Sequence, residues 1–173
     1  FHQDAKYIGL EPHNWVTAWV AITDANENNG CMRMWPGSHK NNLKHHNQKF
    51  DANNLLTRGQ TIENVPIKET EPVILKAGQM SLHHPTIVHG SGINKSNDRR
   101  IGFVVQSYIG DNVNQVLGKM FVQLARGKDR YKYHKYSNIP EELMNTKDIE
   151  CRDIANEELS KIFYNGSKKI GKY

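Results

Sequence analysis

Four short apolar runs, PVILKAG, QMSLHHP, TIVHGSG and RRIGFVVQSYIG, follow one another between residues 72 and 110, punctuated by Gly, Pro, Asn and Asp. Short runs bounded by such breakers read as strands joined by tight turns, with little helix between them. Strands so close together pair antiparallel, which predicts a barrel or a sandwich. Upstream, NWVTAWVAITD adds a longer strand. It places Trp15, Thr17, Trp19 and Ala21 on one face and Val16, Ala18, Val20 and Ile22 on the other. Both faces are mostly apolar, which predicts a strand covered on two sides. NENNG reads as a turn, with Asn28-Asn29-Gly30 as its hairpin tip, and CMRMW as a short strand ending at Pro36-Gly37.

The β pattern is interrupted and then ends. Residues 38–66 are polar and rich in Asn and Lys, which predicts a long surface excursion, partly helical near 52–56, with His45 and His46 solvated. From about Pro140, acids follow a proline and Gly166 stands near the end, which predicts one or two C-terminal helices and then a frayed basic tail, SKKIGKY. The expected organisation is a β core over 1–139 and a helical extension over 140–173, within one domain.

Chemistry enters with three residues. On a strand, residues i and i+2 point the same way, so His2 and Asp4 would face one side together and Gln3 the other. His89 ends an apolar strand, and Gly90 and Gly92 beside it allow close approach of backbone or ligand. Two histidines and a carboxylate with open positions form the ligand set of non-haem Fe(II) oxygenases. An octahedral ion so held keeps two sites for a chelating 2-oxo acid and one for O2. The acid's far carboxylate needs a planar cationic partner, which suits arginine. Arg99 and Arg100 open the next strand on opposite faces, and periodicity does not choose between them.

The run HQDAKYIGLEPHNWVTAWVAITDANENNGCMRMWPGSHK, with HHPTIVHGSGINKSNDRR downstream, resembles the phytanoyl-CoA dioxygenase family of Fe(II)/2-oxoglutarate oxygenases. The shared features are HxD, the strand Trp, NNGC, PGSHK and HPxxxHGSGxNKS, in the same order from residue 2 to about residue 108. RGKDRYKYHKY lies in a stretch similar to one that follows the barrel in bacterial members. The resemblance implies a mainly β, cupin-like double-stranded β-helix, or jelly roll. It implies His2, Asp4 and His89 as iron ligands and Arg100, eleven residues beyond the distal His, as the 2-oxoglutarate anchor. Ser91 would help hold the same carboxylate and Trp19 would line the cosubstrate pocket. Members also carry a region ahead of HxD that is not in this sequence, so the chain reads as the downstream part of a longer one.

The expected activity is therefore hydroxylation of an aliphatic C–H bond, with Fe(II) as metal and 2-oxoglutarate and O2 as cosubstrates. The expected partner is a small molecule or an acyl thioester. Two rival readings are a truncated or non-catalytic jelly-roll module and a halogenase; the latter is disfavoured because halogenases replace the carboxylate ligand that Asp4 supplies. Tyr7 and His84 are candidate pocket residues, with Tyr7 equally readable as a packing residue, His84 read first as a turn residue with a structural hydrogen bond, His83 as its neighbour on the opposite face, and His39 as a turn-stabilising or ligand-supporting group. Cys31 reads as a small core residue. A net charge of +5 comes from 23 Lys and Arg scattered among 18 acids, which favours a solvated surface over a nucleic-acid partner. RGKDRYKYHKY is accordingly expected to pack on the barrel. Two cysteines favour a reducing, cytoplasmic setting, and no run approaches the ~20 apolar residues of a membrane span.

Overall fold

A computed structural model describes residues 1–50 and 59–168. The chain begins with a one-turn helix, α1 (Ala5–Ile8), and a short strand, β1 (Leu10–Glu11). Then come β2 (Trp15–Ala21), β3 (Met32–Met34), β4 (Asn47–Gln48), β5 (Gln60–Thr61), β6 (Glu71–Pro72), β7 (Met80–His83), β8 (His89–Ser91) and β9 (Gly102–Ile109). The rest comprises β10 (Asn114–Gln115), β11 (Phe121–Val122), β12 (Lys135–Tyr136) and one long helix, α2 (Thr146–Phe163).

Two antiparallel three-stranded sheets form the body, in the orders β7-β2-β9 and β6-β3-β8. The outer edge of the second sheet is extended by the chain start, where His2 bridges antiparallel to His89. Three two-stranded pairs complete the β structure, β1 with β10, β4 with β5, and β11 parallel to β12. The mainly β, jelly-roll reading therefore holds, and among the described residues α2 is the one long helix. It starts six residues later than Pro140, where the Asn145 side chain accepts from the Lys147 amide and caps it. PVILKAG is mostly not strand; only Pro72 of it lies in β6, and Leu75 makes a single bridge to Ala25. The helical reading of 52–56, and the tail beyond residue 168, lie outside the described residues.

β2 shows how the sequence places the interior. Trp15, Thr17, Trp19 and Ala21 are all buried, as the alternation predicts. Trp15 joins one apolar cluster with Ile8, Leu10, Val113, Ile162 and Phe163, so α2 closes this end. Trp19 joins a second cluster with Ala21, Ala25, Cys31 and Met32, which confirms Cys31 as a core residue. Thr17 falls between the two clusters, in a polar belt. The opposite face of β2 departs from expectation. Val16 and Val20 are only half-buried and Ile22 is 55 % exposed, and their neighbours Met80, Leu82 and Phe103 are exposed as well. The strand is covered on one side in this structure, because its apolar outer residues meet only the apolar outer residues of β7 and β9.

Close approach explains two of the glycines. Gly30 takes a left-handed φ of 73° in the Asn28-Asn29-Gly30 turn, and a Cβ there would lie 2.7 Å from the Gly92 carbonyl. Gly102 faces the Trp19 indole, where a Cβ would lie 2.0 Å from Cζ2. No flexible side-chain end can yield at that distance; the ring itself must move. We therefore expect Gly102→Ala to destabilise the protein by about 1–3 kcal/mol, the usual range for overpacking. Denaturant unfolding followed by tryptophan fluorescence measures both the loss and the displacement of the Trp19 ring.

Candidate metal centre

The dyad is built differently from its sequence reading. His2 is extended, and its amide donates to the His89 carbonyl at 2.8 Å while the His89 amide donates back at 3.0 Å. Residues paired reciprocally in this way carry their side chains on the same face. The two imidazoles accordingly lie side by side, with ring centroids 4.2 Å apart. Asp4 is not in a strand at all. It takes a right-handed helical conformation at the start of α1, and the Ala5 amide is held by the Pro85 carbonyl. The turn, rather than strand alternation, swings the carboxylate back under the imidazoles.

The result is a buried cluster. His2 Nε2 lies 3.3 Å from Asp4 Oδ1, and His89 Nε2 lies 3.7 Å from the same oxygen. One donor atom from each of the three residues falls within 4.8 Å of the other two, a geometry that can hold a metal ion. The His89 Nδ1–H faces the Ile87 carbonyl at 3.1 Å, which leaves the Nε2 lone pair toward the cluster. Burial, first, and then the neighbouring His2 charge lower the His89 pKa to about 3, so the ring is neutral near pH 7. Burial alone would raise the Asp4 carboxyl, but the imidazoles of His2, His83 and His89 outweigh it and hold the group well below the ordinary carboxylate range. A neutral His89 nitrogen beside one buried carboxylate charge matches what a divalent first-row cation requires.

Residues beyond the three candidate ligands also build this cluster. The Tyr7 hydroxyl, a candidate pocket group, donates to Asp4 Oδ1 at 2.9 Å, while Thr17 Oγ1 donates to Oδ2 at 3.0 Å. His83 sits opposite Thr17 in the β2–β7 pairing and points inward, with Nε2 3.7 Å from Asp4 Oδ2. It lies on the opposite face from His84, as expected, but HHP alone did not show that this is the inward face. Its Nδ1 is buried without a hydrogen-bond partner among the described residues. An orphaned polar atom of this kind costs about 1–3 kcal/mol. His84 is engaged elsewhere: its Nδ1 lies 2.8 Å from Thr86 Oγ1, and it lines a surface concavity with His13 and His39. His39 contributes through its backbone, accepting at its carbonyl from Thr86 Oγ1 at 3.0 Å.

Gln3 faces away from the dyad, as expected, but it is fully buried and fully used. Its amide nitrogen donates to the Thr86 carbonyl at 2.6 Å, and its amide oxygen accepts from the Lys44 amide at 2.8 Å. Its backbone amide donates to His46 Nε2 at 3.0 Å. His46 is therefore a buried clamp, not a solvated residue of a polar loop; burial lowers its pKa to about 4. In PGSHK, Ser38 Oγ accepts from the Val88 amide at 2.9 Å and so fixes the residue before His89.

The predicted anchor residues also meet. The Arg100 guanidinium lies over the Trp19 ring at 5.5 Å and donates to Ser91 Oγ at 3.3 Å. Arg99 is exposed, and its backbone carbonyl accepts from Thr23 at 3.2 Å. A concavity of about 920 Å3 lies away from all these groups, between β9 and residues 120–137. RGKDRYKYHKY borders it and packs less than expected. Tyr131, Tyr133 and Tyr136 are about half-exposed, and His134 is the residue that seats, through Nε2 2.7 Å from the Val113 carbonyl.

Two antiparallel sheets enclosing two imidazoles and a carboxylate are the architecture of the cupin-like non-haem oxygenases. The sequence matches the phytanoyl-CoA dioxygenase (PhyH) family over residues 1–102, and the chain belongs to that family. It is 33% identical over 103 residues to the human peroxisomal phytanoyl-CoA dioxygenase, covering 57% of this chain and 30% of that protein. It is 28% identical over 120 residues to a probable alpha-ketoglutarate-dependent hypophosphite dioxygenase of Stutzerimonas stutzeri, covering 68% of this chain and 42% of that one. Among solved structures it is similar to the non-heme monooxygenase ThoJ in its apo form, with a TM-score of 0.81 and 29% identity over 95% of this chain and 59% of that one. A nickel complex of ThoJ gives a TM-score of 0.72 at 28% identity, over 95% of this chain and 58% of ThoJ. The chain thus spans about a third of the length of the phytanoyl-CoA dioxygenases it matches. No helix among the described residues is long and apolar enough to cross a membrane.

Both buried histidines with lowered pKa values make the metal-free protein acid-sensitive. Each is neutral when folded, with a pKa of about 4 for His46 and about 3 for His89, against 6.5 in the unfolded chain. Unfolding therefore takes up protons below pH 6.5. Their contribution is complete above that pH and is lost as pH falls toward the two folded values. Asp4 adds a loss only below its ordinary pKa of 3.8. The unfolding free energy from urea titrations is expected to drop between about pH 6.5 and pH 4.5, by up to about 1.4 kcal/mol per pH unit for each histidine. His46→Gln should remove one of the two protons from that slope.

Proposed function

We propose that this chain carries the catalytic centre of an Fe(II)- and 2-oxoglutarate-dependent dioxygenase that hydroxylates an aliphatic C–H bond of a small organic or acyl substrate. The observation that carries the reading is the buried cluster of His2, Asp4 and His89. Under this reading these three side chains hold Fe(II) on one face. The nickel in the ThoJ complex supports a divalent ion in this fold, and the name of the Stutzerimonas relative supports 2-oxoglutarate as cosubstrate. When bound, the iron supplies activation of O2 coupled to oxidative decarboxylation of 2-oxoglutarate, giving succinate, CO2 and a hydroxylated product.

The protein's own residues account for the choice of cosubstrate. Ser91 follows His89 by two residues on β8, so the two side chains share a face about 7 Å apart. That is the span of a five-carbon diacid chelating at one end. Arg100, beside Ser91 and over Trp19, offers a planar fork to the far carboxylate. Tyr7 and Thr17 hold the two oxygens of Asp4 in place by hydrogen bonds. The presence of Asp4 in the cluster speaks against halogenation, which needs its position open.

The decisive measurement is iron-dependent formation of succinate from 2-oxoglutarate by the purified protein. Activity is expected to fall at least about a hundredfold in Asp4→Ala and His89→Ala, with loss of roughly one bound divalent ion per chain. No succinate from the iron-loaded protein, or undiminished succinate from Asp4→Ala, overturns the reading. Arg100→Ala should raise the KM for 2-oxoglutarate by at least about tenfold with metal content unchanged, as expected for loss of a carboxylate's charged partner. Arg99→Ala should leave that KM within about twofold of the parent, since its side chain is exposed; steady-state kinetics in 2-oxoglutarate measures both.

A further inference from the structure

Asp4 has five neighbours, and one of them is unexplained. Its Oδ1 faces His2, His89 and the Tyr7 hydroxyl, while its Oδ2 faces the Thr17 hydroxyl and His83. His83 is not among the three residues whose donor atoms converge. It is nonetheless 5 % exposed, its ring centroid is 5.0 Å from that of His89, and its Nδ1 is left without a partner. An aromatic hydrocarbon side chain would fill the same place without burying an unsatisfied nitrogen. Packing therefore gives no reason for an imidazole here, and the remaining nitrogen, Nε2, lies 3.7 Å from the outer oxygen of Asp4.

We propose that His83 is a positioning residue of the metal centre: with Thr17, it holds the outer oxygen of Asp4 and so fixes the rotation of the carboxylate, leaving the inner oxygen as the single donor to the ion. The inference rests on the metal-binding reading of the cluster. A carboxylate free to rotate can offer both oxygens, and a second donor would take a position that a cosubstrate needs. Two holders are required because they approach Oδ2 from different strands. Thr17 comes from β2 and His83 from β7, directly across the pairing, so together they bracket the oxygen. Groups that orient a ligand in this way typically change metal affinity by about ten- to a hundredfold when removed.

The test compares parent, His83→Phe and His83→Gln, with Co(II) as the probe ion. His83→Phe keeps the volume and the plane but has no N–H; His83→Gln keeps a donor. The expected result is a ten- to a hundredfold weaker Co(II) affinity in His83→Phe, partial recovery in His83→Gln, and unfolding midpoints of the metal-free variants no lower than the parent. In the paramagnetic proton spectrum of the Co(II) form, two exchangeable imidazole N–H signals are expected, from His2 and His89, and both should persist in His83→Phe. Equal Co(II) affinity in parent and His83→Phe overturns the inference while leaving the metal site intact. A third exchangeable signal that vanishes in His83→Phe also overturns it, by making His83 a ligand. If the parent binds no Co(II), the metal-binding reading fails and the inference falls with it.

Discussion

Two main-chain hydrogen bonds between His2 and His89 hold the centre together, because they fix the relation between residues that are 87 positions apart. Reciprocal pairing leaves the two imidazoles no choice of face. Everything else at the site adjusts to that pair. The turn into α1 brings the Asp4 carboxylate to them, and the Gln3 side chain, tied to Thr86 and Lys44, prevents the turn from swinging away. His46 and Ser38 then brace the two strands from behind, at the backbone amides of Gln3 and Val88. A buried carboxylate is expensive unless its charge is met, and here each oxygen has at least one hydroxyl donor and one imidazole within 3.7 Å.

The polar belt survives inside a small barrel because apolar clusters close it on both sides. One is completed by the last turn of α2 and the other by Trp19. Trp19 also links the core to the proposed cosubstrate site. Its ring needs the bare Gly102 on β9 and in turn lies beneath the Arg100 guanidinium. A single aromatic residue thereby couples packing to the position of a charge. Excluding water from the belt also penalises a charged imidazole there, which is why His89 remains neutral beside a carboxylate.

Much of this was legible in the residues. Alternation in NWVTAWVAITD picked out the buried face of β2, and the motif order from HxD to HGSG picked out the residues that meet. The reasoning reached the dyad by a mechanism the structure does not use, since His2 and Asp4 converge through a turn and not through a pleat. The outer face of β2 was misread because apolar residues do not reveal whether anything covers them. The inward setting of His83 and the burial of His46 were missed for a related reason. A histidine in HHP or in an Asn- and Lys-rich stretch has no periodic context, so neither its face nor its burial can be read.

By itself, the sequence determined that this is a strand-rich chain of the phytanoyl-CoA dioxygenase family, with two histidines and one carboxylate as candidate ligands and an arginine pair beyond them. Those features are local: strand period, breaker spacing and motif order are properties of neighbours along the chain. Only the tertiary structure decided which groups share the carboxylate, that Arg100 rather than Arg99 lies over Trp19, and that His83 faces inward while His84 serves a surface turn. Contacts of that kind depend on register between distant strands, where a shift of one residue turns every side chain to the other face.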